Sequence, residues 1–102
     1  MPEFVPIAKV GVIAPGQGKL IEVRGKAIAL FNVNGDYYAI DDECPHQGGS
    51  LSDGDLMGQE VACPWHGATF DVLTGEVLGP PASEGVCRYN LRISGDTIEV
   101  EI

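Results

Sequence analysis

Turn signals recur at such short intervals along this chain that strands fit between them and ordinary helices do not. Glycine stands next to proline, asparagine, threonine or serine, combinations that favour turns, at 15–18, 34–36, 74–75 and 94–96. No stretch of about ten residues shows the apolar periodicity of an amphipathic helix. The sequence therefore predicts an all-β protein, built as a sandwich or a small barrel.

Short apolar runs rich in valine, isoleucine and tyrosine lie between these turns. Asn34-Gly35 joins two of them, and because both residues tolerate a positive φ, this dipeptide predicts a two-residue hairpin turn. Near the C-terminus apolar and polar residues alternate, which predicts a half-buried antiparallel pair. We expect strands over 20–23, 27–33, 37–40, 89–93 and 98–102.

Length and charge exclude several classes of protein. The chain has 102 residues, enough for one domain, and carries 15 acidic against 6 basic residues, a formal net charge of −9. This balance argues against binding nucleic acid or anionic lipid, both of which need a basic surface. Three cysteines are too few for a disulfide scaffold. There is no apolar segment of about 18 residues and no secretory signal pattern, so we expect a cytoplasmic protein with no membrane partner.

The stretch from 41 to 67 departs from the strand pattern and is rich in cysteine, histidine, proline and glycine. It holds both histidines and two of the three cysteines of the chain, arranged as Cys44-x-His46 and Cys63-x-x-His66. Long irregular loops in compact domains are usually functional, and two Cys/His pairs on two loops can supply four ligands to one metal centre. These four residues are therefore the candidate ligands.

Three interpretations of this quartet are open. Ordinary core residues would have to fall at this spacing by chance. Structural zinc accepts two cysteines and two histidines, but it usually pairs cysteine with cysteine and histidine with histidine. A Rieske [2Fe–2S] cluster has two cysteines on one iron and two histidines on the other. The mixed pairing on each loop favours the cluster, because each loop then gives one ligand to each iron.

In these residues the chain resembles the Rieske iron–sulfur proteins, whose pattern of Cys-x-His followed by Cys-x-x-His it matches without gaps. The likeness extends to the hairpin of residues 70–75 and to the proline pair at 80–81. The chain is most similar to the small ferredoxin component of bacterial multicomponent oxygenases. The resemblance implies one [2Fe–2S] cluster on an antiparallel β-sandwich or barrel. The base would span about 1–41 and 83–102, and a cluster-binding subdomain of loops and short hairpins about 42–82.

The resemblance is incomplete at positions that influence the reduction potential. High-potential Rieske proteins join their two cluster loops by a disulfide, and the matching positions here are Gly49 and Trp65. They also place a serine and a tyrosine hydroxyl near the cluster sulfurs, where this chain has Ala68 and Phe70. Each missing O–H donor removes stabilisation of the reduced cluster. We expect a potential near the low end of the Rieske range, about −150 mV.

The same resemblance implies an electron carrier rather than an enzyme. It would take one electron from a flavin-dependent ferredoxin reductase and pass it to a terminal oxygenase, with His46 and His66 near the surface. An oxygenase needs further histidines for a mononuclear iron, and this chain has none left. We expect a monomer. Two alternatives stay open, a small nitrite reductase subunit of the same fold and a zinc-stabilised interaction module.

Some residues outside the ligand set have candidate roles. Trp65, Gln47 and the prolines at 80–81 are candidates for a docking surface, because aromatic residues are enriched at interfaces. Cys87 precedes a predicted strand, and we expect a buried free thiol there, since free cysteine behaves as a small hydrophobe.

Acidic residues are concentrated around the candidate ligands. Residues 27–87 contain ten acidic residues and no lysine or arginine, whereas the other 41 residues carry 6 basic and 5 acidic side chains. A negative field around the cluster would speed encounter with a basic partner surface and would be screened by salt. We therefore expect electrostatic steering, with a merely solvating acidic surface as the simpler alternative.

Overall fold

The computed structural model describes residues 3–43, 50–64, 68–79 and 85–102. Within these ranges there are ten strands, one 3-10 turn and no α-helix, which confirms the predicted all-β class. No helix of this described part is long and apolar enough to cross a membrane. The strands are β1 (Phe4–Lys9), β2 (Gly18–Val23), β3 (Lys26–Val33), β4 (Asp36–Asp41), β5 (Asp55–Met57), β6 (Glu60–Ala62), β7 (Thr69–Asp71), β8 (Arg88–Tyr89), β9 (Leu91–Ser94) and β10 (Thr97–Glu101), and the 3-10 turn spans Leu51–Asp53.

The strands form three antiparallel sheets. The largest has the order β2-β3-β4-β8, a second has the order β1-β10-β9, and a small third sheet has the order β5-β6-β7. The first two contain all the strands predicted from the sequence. The small sheet falls between residues 55 and 71, and the division of the chain at about 42 and 82 stays a prediction.

Strand β3 is buried on both faces, which explains its uninterrupted apolar run. On one face Ile28 and Leu30 pack in a cluster that we call the base core, between the two larger sheets. On the other face Ala29 and Phe31 pack in a cluster that we call the subdomain core, against the small sheet. The base core consists of Ile13, Ile28, Leu30, Ala39, Ile98 and Val100. The subdomain core consists of Ala29, Phe31, Ile40, Leu51, Val61, Cys63, Ala68, Phe70 and Val72.

The predicted hairpin turn at Asn34-Gly35 is confirmed. Asn34 has a φ of 54° and Gly35 a φ of 97°, the pair of positive values that a type I′ turn requires. The buried side chain of Asn32 supports the turn, because its oxygen accepts the Gly35 N–H at 2.7 Å. The amide nitrogen of Asn32 donates to the carbonyl oxygen of Ile13 at 2.8 Å. One amide side chain therefore joins the hairpin to the loop that precedes β2.

The predicted strand over 89–93 is divided at Asn90 into two strands that join different sheets. The residues before Asn90 form β8, which pairs with β4, and those after it form β9, which pairs with β10. At the division the Asn90 carbonyl accepts the Glu101 N–H at 2.9 Å, and its side-chain amide donates to the Glu101 carboxylate at 2.9 Å. Apolar alternation along one segment cannot indicate this change of partner.

Gly75 and Gly85 bring two stretches of backbone into direct contact beside residues 80–84. The Val86 N–H donates to the Gly75 carbonyl oxygen at 2.8 Å. A Cβ atom at Gly75 would lie 2.1 Å from the Val86 carbonyl oxygen, and a Cβ atom at Gly85 would lie 2.4 Å from the Gly75 carbonyl oxygen. Gly75 also has a φ of 83°, which side chains disfavour. Glycine is therefore required at 75 for two separate reasons.

Replacing Gly75 should destabilise the fold more than replacing a glycine that meets only one of these demands. Gly58 has a φ of 64° but open space around its Cβ position, so Gly58→Ala measures the backbone strain alone. We expect a loss of about 1 kcal/mol in the free energy of unfolding for Gly58→Ala. For Gly75→Ala we expect about 3 kcal/mol or more. Urea denaturation measures both, and equal losses would contradict the close approach at Gly75.

Candidate metal centre

Three of the four candidate ligands, Cys44, His46 and His66, lie outside the described residues, so the ligand set stays a prediction. The fourth, Cys63, follows β6 and is 3% exposed. In the described part of the chain Cys63 and Cys87 are both free thiols. Other residues singled out in the sequence also lie outside the described ranges, namely Gln47, Gly49, Trp65, Pro80 and Pro81.

The two ends of segment 44–49 are joined by hydrogen bonds. Glu43 and Ser50 form an antiparallel β-bridge. Beside this bridge the Asp42 carboxylate accepts the Ser50 hydroxyl at 2.6 Å and the Ser52 N–H at 2.8 Å. Asp42 is 5% exposed, and hydrogen bonds to a charged group are strong away from water. The segment with the first two candidate ligands therefore starts and ends at fixed, neighbouring points.

Segment 65–67 connects the paired ends of two strands. Ala62 of β6 lies opposite Thr69 of β7, and the Cys63 N–H donates to the Ala68 carbonyl oxygen at 2.7 Å. The Cys63 backbone is thus fixed as an extension of the small sheet, and its side chain belongs to the subdomain core.

Segment 80–84 starts beside the same end of the small sheet. The Leu78 N–H donates to the Thr69 carbonyl oxygen at 2.7 Å. A Cβ atom at Gly79 would lie 2.8 Å from the Thr69 hydroxyl oxygen, so the chain approaches 80 in close contact with β7. Because Thr69 follows Ala68, the described ends next to segments 65–67 and 80–84 are neighbours.

The described frame fits an iron–sulfur group in its donor chemistry. Cys63 offers a buried free thiol, and Leu51 and Ala68, which lie beside the two ligand segments, pack in the same subdomain core. Among the residues of the four described ranges, no group of three or more His, Cys, Asp or Glu side chains could hold a metal ion. Cys63 is therefore the one predicted ligand that the described residues contain, and the other three stay predictions.

Ala68 and Phe70, the positions at which the chain departs from high-potential Rieske proteins, are completely buried. Both belong to the subdomain core together with Cys63. Neither side chain carries a hydrogen-bond donor. The side chains at these two positions therefore contribute packing contacts only, whereas the Ala68 carbonyl oxygen accepts the Cys63 N–H.

The expectation of a buried Cys87 is wrong, because this residue lies at an exposed sheet edge. Cys87 directly precedes β8, the terminal strand of the four-stranded sheet. Its backbone is held by Asp41, whose N–H donates to the Cys87 carbonyl oxygen at 2.9 Å and whose carboxylate accepts the Cys87 N–H at 3.2 Å. Proximity to a strand in the sequence does not distinguish an edge strand from a central one.

Asp41 also joins β4 to β8 through the hydroxyl of Tyr89, which donates to its carboxylate. Burial, followed by this hydrogen bond and by the negative charge of Asp41, raises the pKa of Tyr89 well above its ordinary 10.0. The phenol therefore keeps its proton and stays a donor. The Lys26 ammonium lies over the Tyr89 ring, 5.9 Å from its centre.

Sequence reasoning missed the roles of Asp41 and Asp42. The available signal is the pair Asp41-Asp42, two to three residues before the first candidate ligand, but the sequence alone indicates only its negative charge. Asp41 bonds to Cys87 and Tyr89, more than 40 residues away. Asp42 bonds across the ligand segment to Ser50 and Ser52. Neither set of partners can be read from local pattern.

Comparison with known proteins identifies the family of this frame. Residues 3–90 match the Rieske [2Fe-2S] domain. The ferredoxin component of the naphthalene 1,2-dioxygenase system of Pseudomonas aeruginosa is 38% identical over 82 residues, which cover 80% of this chain and 79% of that protein. The ferredoxin of carbazole 1,9a-dioxygenase from Nocardioides aromaticivorans IC177 superimposes with a TM-score of 0.92 and 28% identity over 95% of each chain. A chain from a complex of reduced oxygenase and oxidized ferredoxin in carbazole 1,9a-dioxygenase matches with a TM-score of 0.90 and 26% identity, over 95% of this chain and 91% of that one.

The chain belongs to the Rieske [2Fe–2S] family, and its cofactor is a Rieske-type [2Fe–2S] cluster. It is a ferredoxin, an electron-transfer protein, and its relatives are named as ferredoxin components of dioxygenase systems. The cofactor is therefore a [2Fe–2S] cluster and not structural zinc, and the assignment of the four residues as its ligands stays a prediction.

Proposed function

We propose that this ferredoxin accepts single electrons from a flavin-dependent ferredoxin reductase and passes them to the terminal oxygenase of an aromatic ring-hydroxylating system. Support for the acceptor comes from relatives named as dioxygenase ferredoxin components and from the matching chain in an oxygenase–ferredoxin complex. A one-electron carrier in such a system needs a reductase as its source. We infer that it works as a cytoplasmic monomer. Because the sequence relatives are named as ferredoxin components, this role is favoured over a nitrite reductase small subunit.

We infer that Cys44 and Cys63 bind one iron and that His46 and His66 bind the other. The observation that carries this assignment is Cys63, a buried free thiol fixed at the end of β6, at the ligand spacing of the family. The bound cluster supplies the one-electron chemistry. The described residues next to segments 44–49 and 65–67 are fixed by backbone pairing, between Glu43 and Ser50 and between Cys63 and Ala68.

Removing the Cys63 thiol should abolish the cluster, whereas removing the Cys87 thiol should not. We expect Cys63→Ala to be colourless after purification, with no low-average-g electron paramagnetic resonance (EPR) signal on reduction. Cys87→Ala is the matched control and should keep the red-brown colour, the signal and about two irons per chain. Iron analysis and EPR spectroscopy measure these properties. A normal cluster in Cys63→Ala would refute the ligand assignment.

We infer a potential near the low end of the Rieske range, about −150 mV. Ala68 and Phe70 are fully buried and carry no hydroxyl, so neither side chain can donate a hydrogen bond to an electron-rich centre nearby. Negative surface charge around the site also disfavours adding an electron. Both effects lower the potential.

Restoring a hydroxyl should raise the midpoint potential. If Ala68→Ser adds one hydrogen bond worth about 1–2 kcal/mol to the reduced state, the potential rises by roughly 40–90 mV. Ala62→Ser is the control. Ala62 lies on the face of the small sheet opposite Val61, so its hydroxyl would point away from the subdomain core and should leave the potential unchanged. Voltammetry of the two variants and the parent decides. An unchanged or lower potential for Ala68→Ser would argue against the role of position 68.

Charge on the molecule is arranged unevenly. Inward-facing Leu56, Val61 and Phe70 alternate with outward positions on the small sheet, where Asp55 and Glu60 are exposed. Within the described residues the acidic side chains of this sheet form no ion pair, whereas the base has three. The ion pairs join Lys9 to Asp96, Arg24 to Glu3 and Arg92 to Glu99. We infer that the small sheet presents an acidic surface to partner proteins and that the base does not.

Salt should slow electron transfer to and from this protein. Without salt the acidic surface attracts a basic partner face, so we expect reduction by the reductase to slow about tenfold or more as ionic strength rises. Asp55→Asn combined with Glu60→Gln should flatten this dependence. Glu22→Gln combined with Asp96→Asn removes the same charge from the base and should change it less. Stopped-flow rates measure the effect, and a flat profile for the parent protein would exclude steering.

A further inference from the structure

Asp42 has a buried carboxylate that belongs to neither core cluster and, among the described residues, forms no ion pair. Asp42 is 5% exposed and lies between β4 and the first ligand segment. Burying a carboxylate is unfavourable unless its oxygens accept hydrogen bonds. Both Asp42 oxygens do so, one from the Ser50 hydroxyl at 2.6 Å and the other from the Ser52 N–H at 2.8 Å.

The backbone of Asp42 forms two further hydrogen bonds, one to β3 and one to Leu51. Its N–H donates to the Ala27 carbonyl oxygen of β3 at 3.1 Å, and its carbonyl oxygen accepts the Leu51 N–H at 2.7 Å. A single residue is therefore bonded both to the central strand and to the chain that returns from the ligand segment 44–49.

Leu51 connects this arrangement to the other cysteine. It is completely buried in the subdomain core, the same cluster that contains the Cys63 side chain. Cys44 follows Asp42 by two residues. The hydrogen bonds of Asp42 therefore fix the start of the first ligand segment relative to the core in which Cys63 is packed.

We propose that Asp42 is a positioning residue for the cluster, which holds the segment of Cys44 and His46 at a set place relative to Cys63 by joining its two ends through Ser50 and Ser52. This proposal rests on the proposed function, because it takes Cys44 and His46 as ligands. It assigns Asp42 no contact with iron or sulfur. Its effect is to prevent the two ends of the segment from separating, which would pull the ligands away from the cluster.

The chemistry of the contact predicts which substitutions are tolerated. Asparagine can accept the Ser52 N–H through its oxygen and donate to the Ser50 oxygen through its nitrogen, because a serine hydroxyl can reverse its role. Ser52 can then accept the Ser50 hydroxyl, since the two serine oxygens are 2.9 Å apart. Alanine at 42 can do neither. Ser50→Ala removes the hydroxyl that donates to Asp42 and contacts Ser52, and it leaves the Asp42 carboxylate with the Ser52 N–H.

The test measures the cluster itself, in the purified holoprotein. The rate of cluster loss to an iron chelator is followed by visible absorption, and the g-values of the reduced protein are recorded by EPR. We expect Ser50→Ala to lose its cluster roughly fivefold faster than the parent, the factor for one hydrogen bond. Asp42→Ala should lose it faster still, both with altered g-values. Asp42→Asn should restore the parent rate and spectrum.

Asn32→Ala is the matched control for general destabilisation. Asn32 is also a buried polar side chain with two hydrogen bonds, but these join the Asn34-Gly35 hairpin to Ile13 in the loop before β2 and do not involve the ends of segment 44–49. We expect Asn32→Ala to lower the melting temperature but to leave the rate of cluster loss and the g-values like those of the parent. If Asn32→Ala accelerates cluster loss as much as Ser50→Ala does at equal stability, the effect is global and the positioning role is refuted.

The outcomes also separate this proposal from the ligand assignment. Should Asp42→Ala fail to fold, Ser50→Ala, which changes one hydroxyl, decides alone. Parent-like cluster loss and g-values in Ser50→Ala would overturn the role of the Asp42 contact while leaving the cluster assignment intact. A parent protein without a Rieske EPR signal would overturn both.

Discussion

The burial of β3 on both faces is the constraint on which the rest of the molecule depends. Ile28 and Leu30 fill the base core, and Ala29 and Phe31 fill the subdomain core. A shift of one residue in the pairing of this strand would exchange the two sets and misfit both cores. The Asn34-Gly35 turn prevents such a shift, since a type I′ turn fixes which residues of β3 and β4 are opposite. The turn thus fixes the register of the strand against which both cores pack, and the ligand segments start from these cores.

The described residues at the ends of segments 44–49 and 65–67 are held together by hydrogen bonds. Glu43 bridges Ser50, and Cys63 bonds to Ala68. Confining the ends of a short segment reduces the conformational entropy that its ligands lose when they bind a common group. For the proposed ligand set of Cys44, His46, Cys63 and His66, these fixed ends therefore favour binding to one cluster.

The sequence allowed the fold class, the main strands and the hairpin turn to be predicted, because alternation and turn chemistry are local signals. It also allowed the family and cofactor to be predicted, because ligand spacing is local too. The division of a strand at Asn90, the exposure of Cys87 and the contacts of Asp41 and Asp42 could not be predicted. Each depends on which distant strand lies alongside, and the chain carries no local mark of that neighbour. Cys44, His46 and His66 lie outside the described residues, so their positions relative to Cys63 stay predictions.

The close contact of Gly75 with the stretch at Gly85 and Val86 has a consequence for protein engineering. The described residues on either side of segment 80–84 are joined by main-chain atoms, through the hydrogen bond from the Val86 N–H to the Gly75 carbonyl oxygen. Doubling the length of a flexible loop between fixed ends costs only about 0.6 kcal/mol. Because the bond between Gly75 and Val86 uses no atom of residues 80–84, a change in the sequence or length of that stretch leaves the bond in place as long as both glycines are kept.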